Sequence, residues 1–258
     1  EAVWQPPPST TLTMTTCLGK TTTATFDQAG ARNYSGFDAK RAEILLIGDS
    51  YTIGDEADDD ETIAAYLHKD AGVMAANLGV AAYGSVQALL HAKAQRAKYP
   101  AARTIILGVM YENIRRNVNS QRFAFTRNES DIIAPRPYIK GGVIKLVPQA
   151  IFDGIDQFNR YTRETVRDDF WTVPPLGFPY SASLIGAAIS RPMRTRSAAW
   201  IIKNLNRQYS IDFRDAEMSN ALVIVSKEFV RWSASEGLQP IIAFIPQNKK
   251  DTTSADEW

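Results

Sequence analysis

"ILLIGDSYTIGDE", residues 44–56, runs four apolar residues directly into Gly48-Asp49-Ser50 and places a further glycine, Gly54, four residues after the serine. A short continuous apolar run is what a strand buried on both faces requires. Burial gives no reason for a glycine, an acid and a hydroxyl at its carboxyl end. In open α/β sheets, ligands bind beyond the carboxyl ends of the strands. Ser50 is therefore a candidate nucleophile at the mouth of a parallel sheet.

The flanking sequence supplies the sheet. "AEILLIGD" (42–49) predicts a buried strand, "VMAANLGV" (73–80) a second and "RTIILGVMY" (103–111) a third. Between them, "DDDETIAAYLHKDAG" (58–72) predicts a helix with acids at its amino end, where the dipole favours them, and an apolar face of Ile63, Tyr66 and Leu67. "GSVQALLHAKAQRAKYP" (84–100) predicts another, with Val86, Leu89, Leu90 and Ala94 as its stripe and Pro100 at its close. The pattern resumes with a helix over 215–237, bearing Met218, Leu222, Val225 and Phe229 on one side, and a fourth strand over 238–246. Apolar strands alternating with helices imply a parallel sheet covered on both faces, a three-layer α/β/α sandwich of flavodoxin-like type. Residues 112–214 are irregular, and a structureless loop of that length does not suit a compact domain. They are expected to form an insertion over 117–214 with short helices near 149–168 and 181–208. Residues 1–42, rich in threonine and poor in large apolar residues, are expected to be an extended, loosely structured lead-in to an α/β domain over 43–258.

Composition narrows the function classes. The 258 residues are 45% hydrophobic, with 29 basic against 28 acidic residues and a net charge of +1, so no charge excess argues for a nucleic-acid partner. The single cysteine, Cys17, excludes an internal disulfide framework and a multi-cysteine zinc site. No apolar run approaches the ~20 residues that span a bilayer. The acidic run Asp58–Glu61 suits a helix amino end, so no metal is assigned to it, and no cofactor is implied. "NIRRNVNSQRFAFTRNES" (113–130) mixes arginines with Phe123 and Phe125. Such a mixture suits sugars or an anionic polymer, but a solvated loop with two anchoring phenylalanines is the preferred expectation. A chain starting at Glu1 is what a cleaved signal peptide, a lost anchor or simple trimming leaves. The sequence does not choose among these, and the location stays open, with a periplasmic or secreted one favoured.

Three adjacent strand ends carry the candidate chemistry. The first ends in Gly48-Asp49-Ser50, the second leads through "NLGVAAYGS" to Gly84, and the third runs through "LGVMYENIRRN", with Asn113 just past the strand. Acyl transfer needs a serine to attack the carbonyl and donors for the oxyanion that forms. The Ser50 N–H, the Gly84 N–H and the Asn113 side-chain amide are the candidate donors. Asp49 is expected to hold the turn through hydrogen bonds rather than act as catalytic acid, and Gly54 is expected to be a turn glycine.

On these residues the chain resembles the SGNH, or GDSL-type, hydrolases. Their first block is Gly-Asp-Ser with a glycine a few residues on, matched by Gly48, Asp49, Ser50 and Gly54. Gly84 matches the glycine of their second block better than Gly79 does. Their third block, Gly-x-Asn-Asp, is matched only at Asn113, with Tyr111 and Ile114 in place of the glycine and aspartate. The resemblance covers about 42–118 and, weakly, 215–246. It implies a serine-dependent ester hydrolase or O-acyltransferase, acting on an acylated carbohydrate or another small acyl ester. The family's fourth block, Asp-x-x-His, is missing. The two histidines, His68 and His91, lie inside helices, and neither has an acid three residues before it. His91 is expected on a solvated face with Gln87 and Gln95. The expectation is that a carboxyl-terminal segment carrying the histidine is absent from this chain. The other possibility is a non-catalytic carbohydrate-binding relative that lost its base. A phosphate binder using "GDSYTIGD" as an anion loop is disfavoured, since the loop lacks a glycine-rich run and a lysine.

Overall fold

The computed structural model describes residues 6–15, 19–120, 136–147, 156–157, 160, 181 and 216–246. The chain divides into two units, one of Val3–Asn113 with Leu222–Trp258 and one containing Ile114–Ala221.

The first unit is built on a four-stranded parallel sheet. β3 (Ile44–Ile47), β4 (Ala75–Asn77), β5 (Thr104–Met110) and β8 (Gln239–Ile245) stand in the order β4-β3-β5-β8. β3 thus lies inside the sheet, where the direction of chain winding reverses. Its apolar run is buried, with Leu45 and Ile47 at 0% exposure. The pleat sends alternate residues to opposite faces. Leu46 packs with Ala64 and Ala65 of α2 (Ile63–Ala71), while α3 (Ser85–Gln95) contacts β3 and β5. α5 (Ala216–Ser235) buries Leu222, Val225 and Phe229, and its Glu228 accepts from Lys93 of α3 at 2.7 Å. This mixed α/β architecture is compatible with an α/β sandwich. β8 is an outer strand, and Ile241 and Phe244 on it are exposed.

The strands and helices fall within a few residues of their expected spans, but two helix faces do not. α2 buries Ala64 and Ala65 and leaves Ile63 and Tyr66 about half exposed, at 47% and 48%. Alanines win because they let the helix backbone come close to the sheet. In α3, Ala94 is exposed and Leu90 only partly buried, whereas Ala88 and Ala92 are buried with Val86 and Leu89.

The described residues of the lead-in, 6–15 and 19–42, are ordered rather than loose. β1 (Thr11–Thr15) and β2 (Thr21–Thr25) pair antiparallel, Thr11 opposite Thr25 and Thr15 opposite Thr21. The β-branched threonines that lower its apolar content are also good strand formers. Ala24 and Phe26 pack with Ile53, and the Arg32 N–H donates to the Asn77 carbonyl at 2.8 Å. The acidic run then takes up the polar groups of this segment. Asp58 accepts from the Thr23 N–H (2.8 Å), Asp59 from Arg32 Nε (3.0 Å) and the Thr25 hydroxyl (2.6 Å), Asp60 from the Ser35 N–H (2.7 Å), and Glu61 from Lys20 (2.7 Å). Asp58–Glu61 is therefore a docking strip for the amino-terminal segment. Asp59–Glu61 form a 3₁₀ turn ahead of α2, whose N-cap is Thr62.

α4 (Tyr111–Arg116) follows β5, and in the second unit a hairpin of β6 (Tyr138–Lys140) and β7 (Val143–Lys145) turns at Gly141-Gly142. Both glycines have positive φ, at 59° and 81°, as a tight hairpin turn requires. Asn117, Asn119, Ser120 and Arg136 are buried, and the Ile139 N–H donates to the Asn117 carbonyl at 2.6 Å. The described part of 113–130 is thus packed, not a solvated loop. Phe123, Phe125 and almost all of the helices expected at 149–168 and 181–208 lie outside the described residues.

The docking strip makes an acid prediction. The Thr23 N–H beside Asp58, the Ser35 N–H beside Asp60 and Lys20 beside Glu61 each hold a carboxyl below its ordinary range. A lowered carboxylate pKa contributes stability above the unfolded value, and that contribution is lost as pH falls through the folded one. Below about pH 4, amide exchange in 21–25, corrected for intrinsic rate, is expected to rise before exchange in 104–110 does.

Candidate active site

Ser50 begins α1 (Ser50–Ile53), a single helical turn three residues beyond β3. Asp49 is its N-cap and accepts from the Tyr51 N–H at 3.0 Å. Gly54 closes it with φ +78°, a left-handed cap position that suits glycine, and donates its N–H to the Ser50 carbonyl at 3.1 Å. The turn is thus closed at both ends by residues of the motif. Ser50 is half-buried, and among the described residues no side chain hydrogen-bonds its hydroxyl.

Glycines after β3 and β4 and within β5 make room for that turn. A Cβ on Gly48 would run into the Thr52 side chain, and one on Gly108, inside β5, would lie 2.5 Å from Thr52 Oγ1. A Cβ on Gly79 would lie 2.9 Å from the Thr52 carbonyl carbon and close to the Ile53 backbone. Gly79 is therefore needed by the turn itself. Asn77, fully buried at the end of β4, donates through Nδ2 to the Thr52 carbonyl (2.9 Å) and accepts at Oδ1 from the Gly79 N–H (3.1 Å). Sequence reading passed over Asn77, Thr52, Gly108 and Arg32. The available signal was a polar Asn77 inside the apolar "VMAANLGV", because a buried amide is costly unless it is hydrogen-bonded.

The three candidate strand ends meet through Asn113. Its Nδ2 donates to Asp49 Oδ2 at 2.8 Å and to the Tyr83 carbonyl at 3.1 Å, and its Oδ1 accepts from the Met110 N–H at 2.6 Å. Asp49 and Tyr83 immediately precede Ser50 and Gly84, so one buried amide ties both loops to the end of β5. The two amide protons of Asn113 are both engaged. The Gly84 N–H is engaged as well, donating to Gln87 Oε1 at 3.1 Å across the first turn of α3. Of the three expected oxyanion donors, the Ser50 N–H alone has no acceptor among the described residues.

The histidines serve packing. His68 stacks at a tilt on Tyr34, ring centroids 5.7 Å apart, and the Tyr34 hydroxyl bonds both backbone groups of Ala75 at the start of β4. That is the end of the sheet opposite Ser50. His91 sits edge-on to Tyr83 at 5.9 Å. Gln87, His91 and Gln95 are buried at 0%, 1% and 5%, so the face expected to be solvated is inside the protein. Burial, with a smaller contribution from Lys98, pushes His91 down from 6.5 to about 4. A neutral imidazole tolerates this environment better than a charged one. Among the described residues there is no cluster of three or more His, Cys, Asp or Glu side chains able to hold a metal ion, and no helix long and apolar enough to cross a membrane.

Comparison with models of known protein families and with curated proteins gives no match to this chain.

Two outcomes follow from this geometry. Gly108→Ala should destabilise the protein through its clash with Thr52 Oγ1, by about 1–3 kcal/mol. Thr52→Ala should cost less than the simple sum when combined with it, since the buried Oγ1 has no partner to lose. Denaturant midpoints of the two single variants and the double variant measure this coupling. Independently, the unfolded chain protonates His91 near 6.5 and the folded one only near 4. This group's contribution is present above 6.5 and lost as pH falls to about 4, a loss of about 3 kcal/mol. Stability at pH 7 minus that at pH 4.5 should shrink in His91→Gln.

Proposed function

We propose that this chain carries an acyl-transfer site with Ser50 as nucleophile, in an SGNH-type α/β/α sandwich with an insertion over 117–214. Its reaction is ester hydrolysis or O-acyl transfer on a small acyl ester or acylated carbohydrate. The observation that carries this reading is the buried Asn113 amide bonded to both Asp49 and Tyr83, which brings the Ser50 and Gly84 loops to one point at the carboxyl ends of the strands. Fold analogy alone would not reach a function. The serine, its own backbone N–H and the strand-end position are the parts that acyl transfer uses.

In this reading, Ser50 Oγ loses its proton to solvent water as it bonds to the acyl carbon, and the carbonyl electron pair moves onto the carbonyl oxygen. The Ser50 N–H, an orphan donor of the first helical turn, faces that charge. Gly84 and Asn113 contribute only by exchanging their present acceptors, Gln87 Oε1 and either Asp49 or the Tyr83 carbonyl, for the oxyanion. The tetrahedral centre collapses with loss of the alcohol, which takes up a proton. Water or an acceptor hydroxyl then carries the acyl group off Ser50. Neither His68, at the far end of the sheet, nor His91, held near 4 by burial, suits the work of a general base at neutral pH.

The internal engagement of Gly84 and Asn113 favours a second reading, a carbohydrate-binding module of the same fold without catalysis. The two readings separate in one experiment. With p-nitrophenyl acetate, residues 1–258 should turn over barely faster than Ser50→Ala, because a serine without a base retains only residual reactivity. Peptide mass spectrometry should nevertheless find the acetyl group on Ser50. Absence of acetyl-Ser50, together with binding of an acetylated oligosaccharide that Ser50→Ala leaves unchanged, would carry the binding reading instead.

A further inference from the structure

We propose that Arg32 is a positioning residue for Ser50, acting through the one-turn helix that the serine begins. The proposal rests on the acyl-transfer reading of Ser50. Arg32 is fully buried, and a guanidinium has five N–H donors in a rigid fork. Nε donates to Asp59 Oδ1 at 3.0 Å. Nη1 donates to the Gly54 carbonyl at 2.7 Å and to the Ile53 carbonyl at 3.3 Å, and Nη2 to the Ala57 carbonyl at 2.6 Å and the Thr23 carbonyl at 3.0 Å.

Ile53 is the last residue of α1 and Gly54 its cap, and the Gly54 N–H returns to the Ser50 carbonyl. The fork therefore grips one end of a single turn whose other end is the nucleophile. A lone helical turn does not hold its shape unaided. The backbone N–H of Arg32 is bonded to the Asn77 carbonyl at the end of β4, so the fork is referenced to the sheet rather than to the loop it holds. Asn77 itself grips the Thr52 carbonyl from the same strand end. Neutralising a buried charge would need only Asp59. The bonds to Ile53, Gly54 and Ala57 serve the geometry of the segment that follows Ser50.

The test compares the wild-type chain with Arg32→Lys and with Val225→Ala, a truncation in the core of α5 outside this contact network. A lysine keeps the charge opposite Asp59 and cannot span the carbonyls. In Arg32→Lys, amide exchange in 50–57 should rise by a larger factor than exchange in 104–110 does. Acetylation of Ser50 at saturating p-nitrophenyl acetate should slow about 10- to 100-fold, with the half-saturating concentration little changed. Val225→Ala should melt earlier yet acetylate Ser50 at the wild-type rate. Arg32→Gln, which leaves no misplaced charge, carries the same expectation and serves where Arg32→Lys does not fold. A rise in 50–57 no larger than that in 104–110, together with acetylation at the Val225→Ala rate, would overturn the proposal and leave Arg32 a purely structural residue. Should the wild-type chain show no acetyl-Ser50 at all, the acyl-transfer reading fails, and exchange in 50–57 alone decides whether Arg32 holds the turn.

Discussion

The guanidinium of Arg32 is the point through which the amino-terminal segment, the Ser50 turn and the acidic strip are joined. It lies at 0% exposure with every donor matched to an acceptor. A buried cation is tolerated only when it is paired and fully hydrogen-bonded, and stripping its partners typically costs about 3–5 kcal/mol. The arrangement therefore tolerates little displacement of any of the three parts. Strand β2 cannot leave without uncovering the charge, and the turn cannot shift without freeing carbonyls. Asp59 sits at the centre, shared between Arg32 and Thr25.

Around that fixed turn the sheet supplies space rather than side chains. Gly48 and Gly79 follow two of the strands and Gly108 lies within a third, and each would collide with Thr52 or Ile53 if it carried a Cβ. The result is a helical turn seated directly on strand backbones, with Asp49 and Gly54 closing its two ends. Asn113 completes the frame from β5, binding the residue before Ser50 and the residue before Gly84. In this state its amide fixes the loops. In the proposed chemistry, the same amide would have to release one of them to meet an oxyanion.

The interior is more polar than the strand pattern implies. Gln87, His91 and Gln95 line one side of α3 inside the protein, and His91 is kept neutral by that burial. Such a face looks solvent-directed on a helical wheel because Gln and His are usually exposed. Its burial depends on what packs over it, which no local periodicity reports.

The sequence alone determined the strand–helix alternation, the parallel sheet and the place of Ser50 at the end of an inner strand. Those follow from local rules: apolar runs seek burial, and a motif after a strand lies at the carboxyl edge of the sheet. It also put Gly84 in the connection after β4 and Asn113 just after β5. Tertiary structure alone decided that residues 11–15 and 19–34 form an ordered pad, that Asp58–Glu61 dock it, and that Gly79 and Gly108 serve Thr52. It also decided that the hydrogens of Asn113 and Gly84 are already taken. The physical reason is the same in each case. A hydrogen bond or a close approach between residues tens of positions apart leaves no periodicity in either segment, so Arg32 and the carbonyls it holds become related only when the chain has folded.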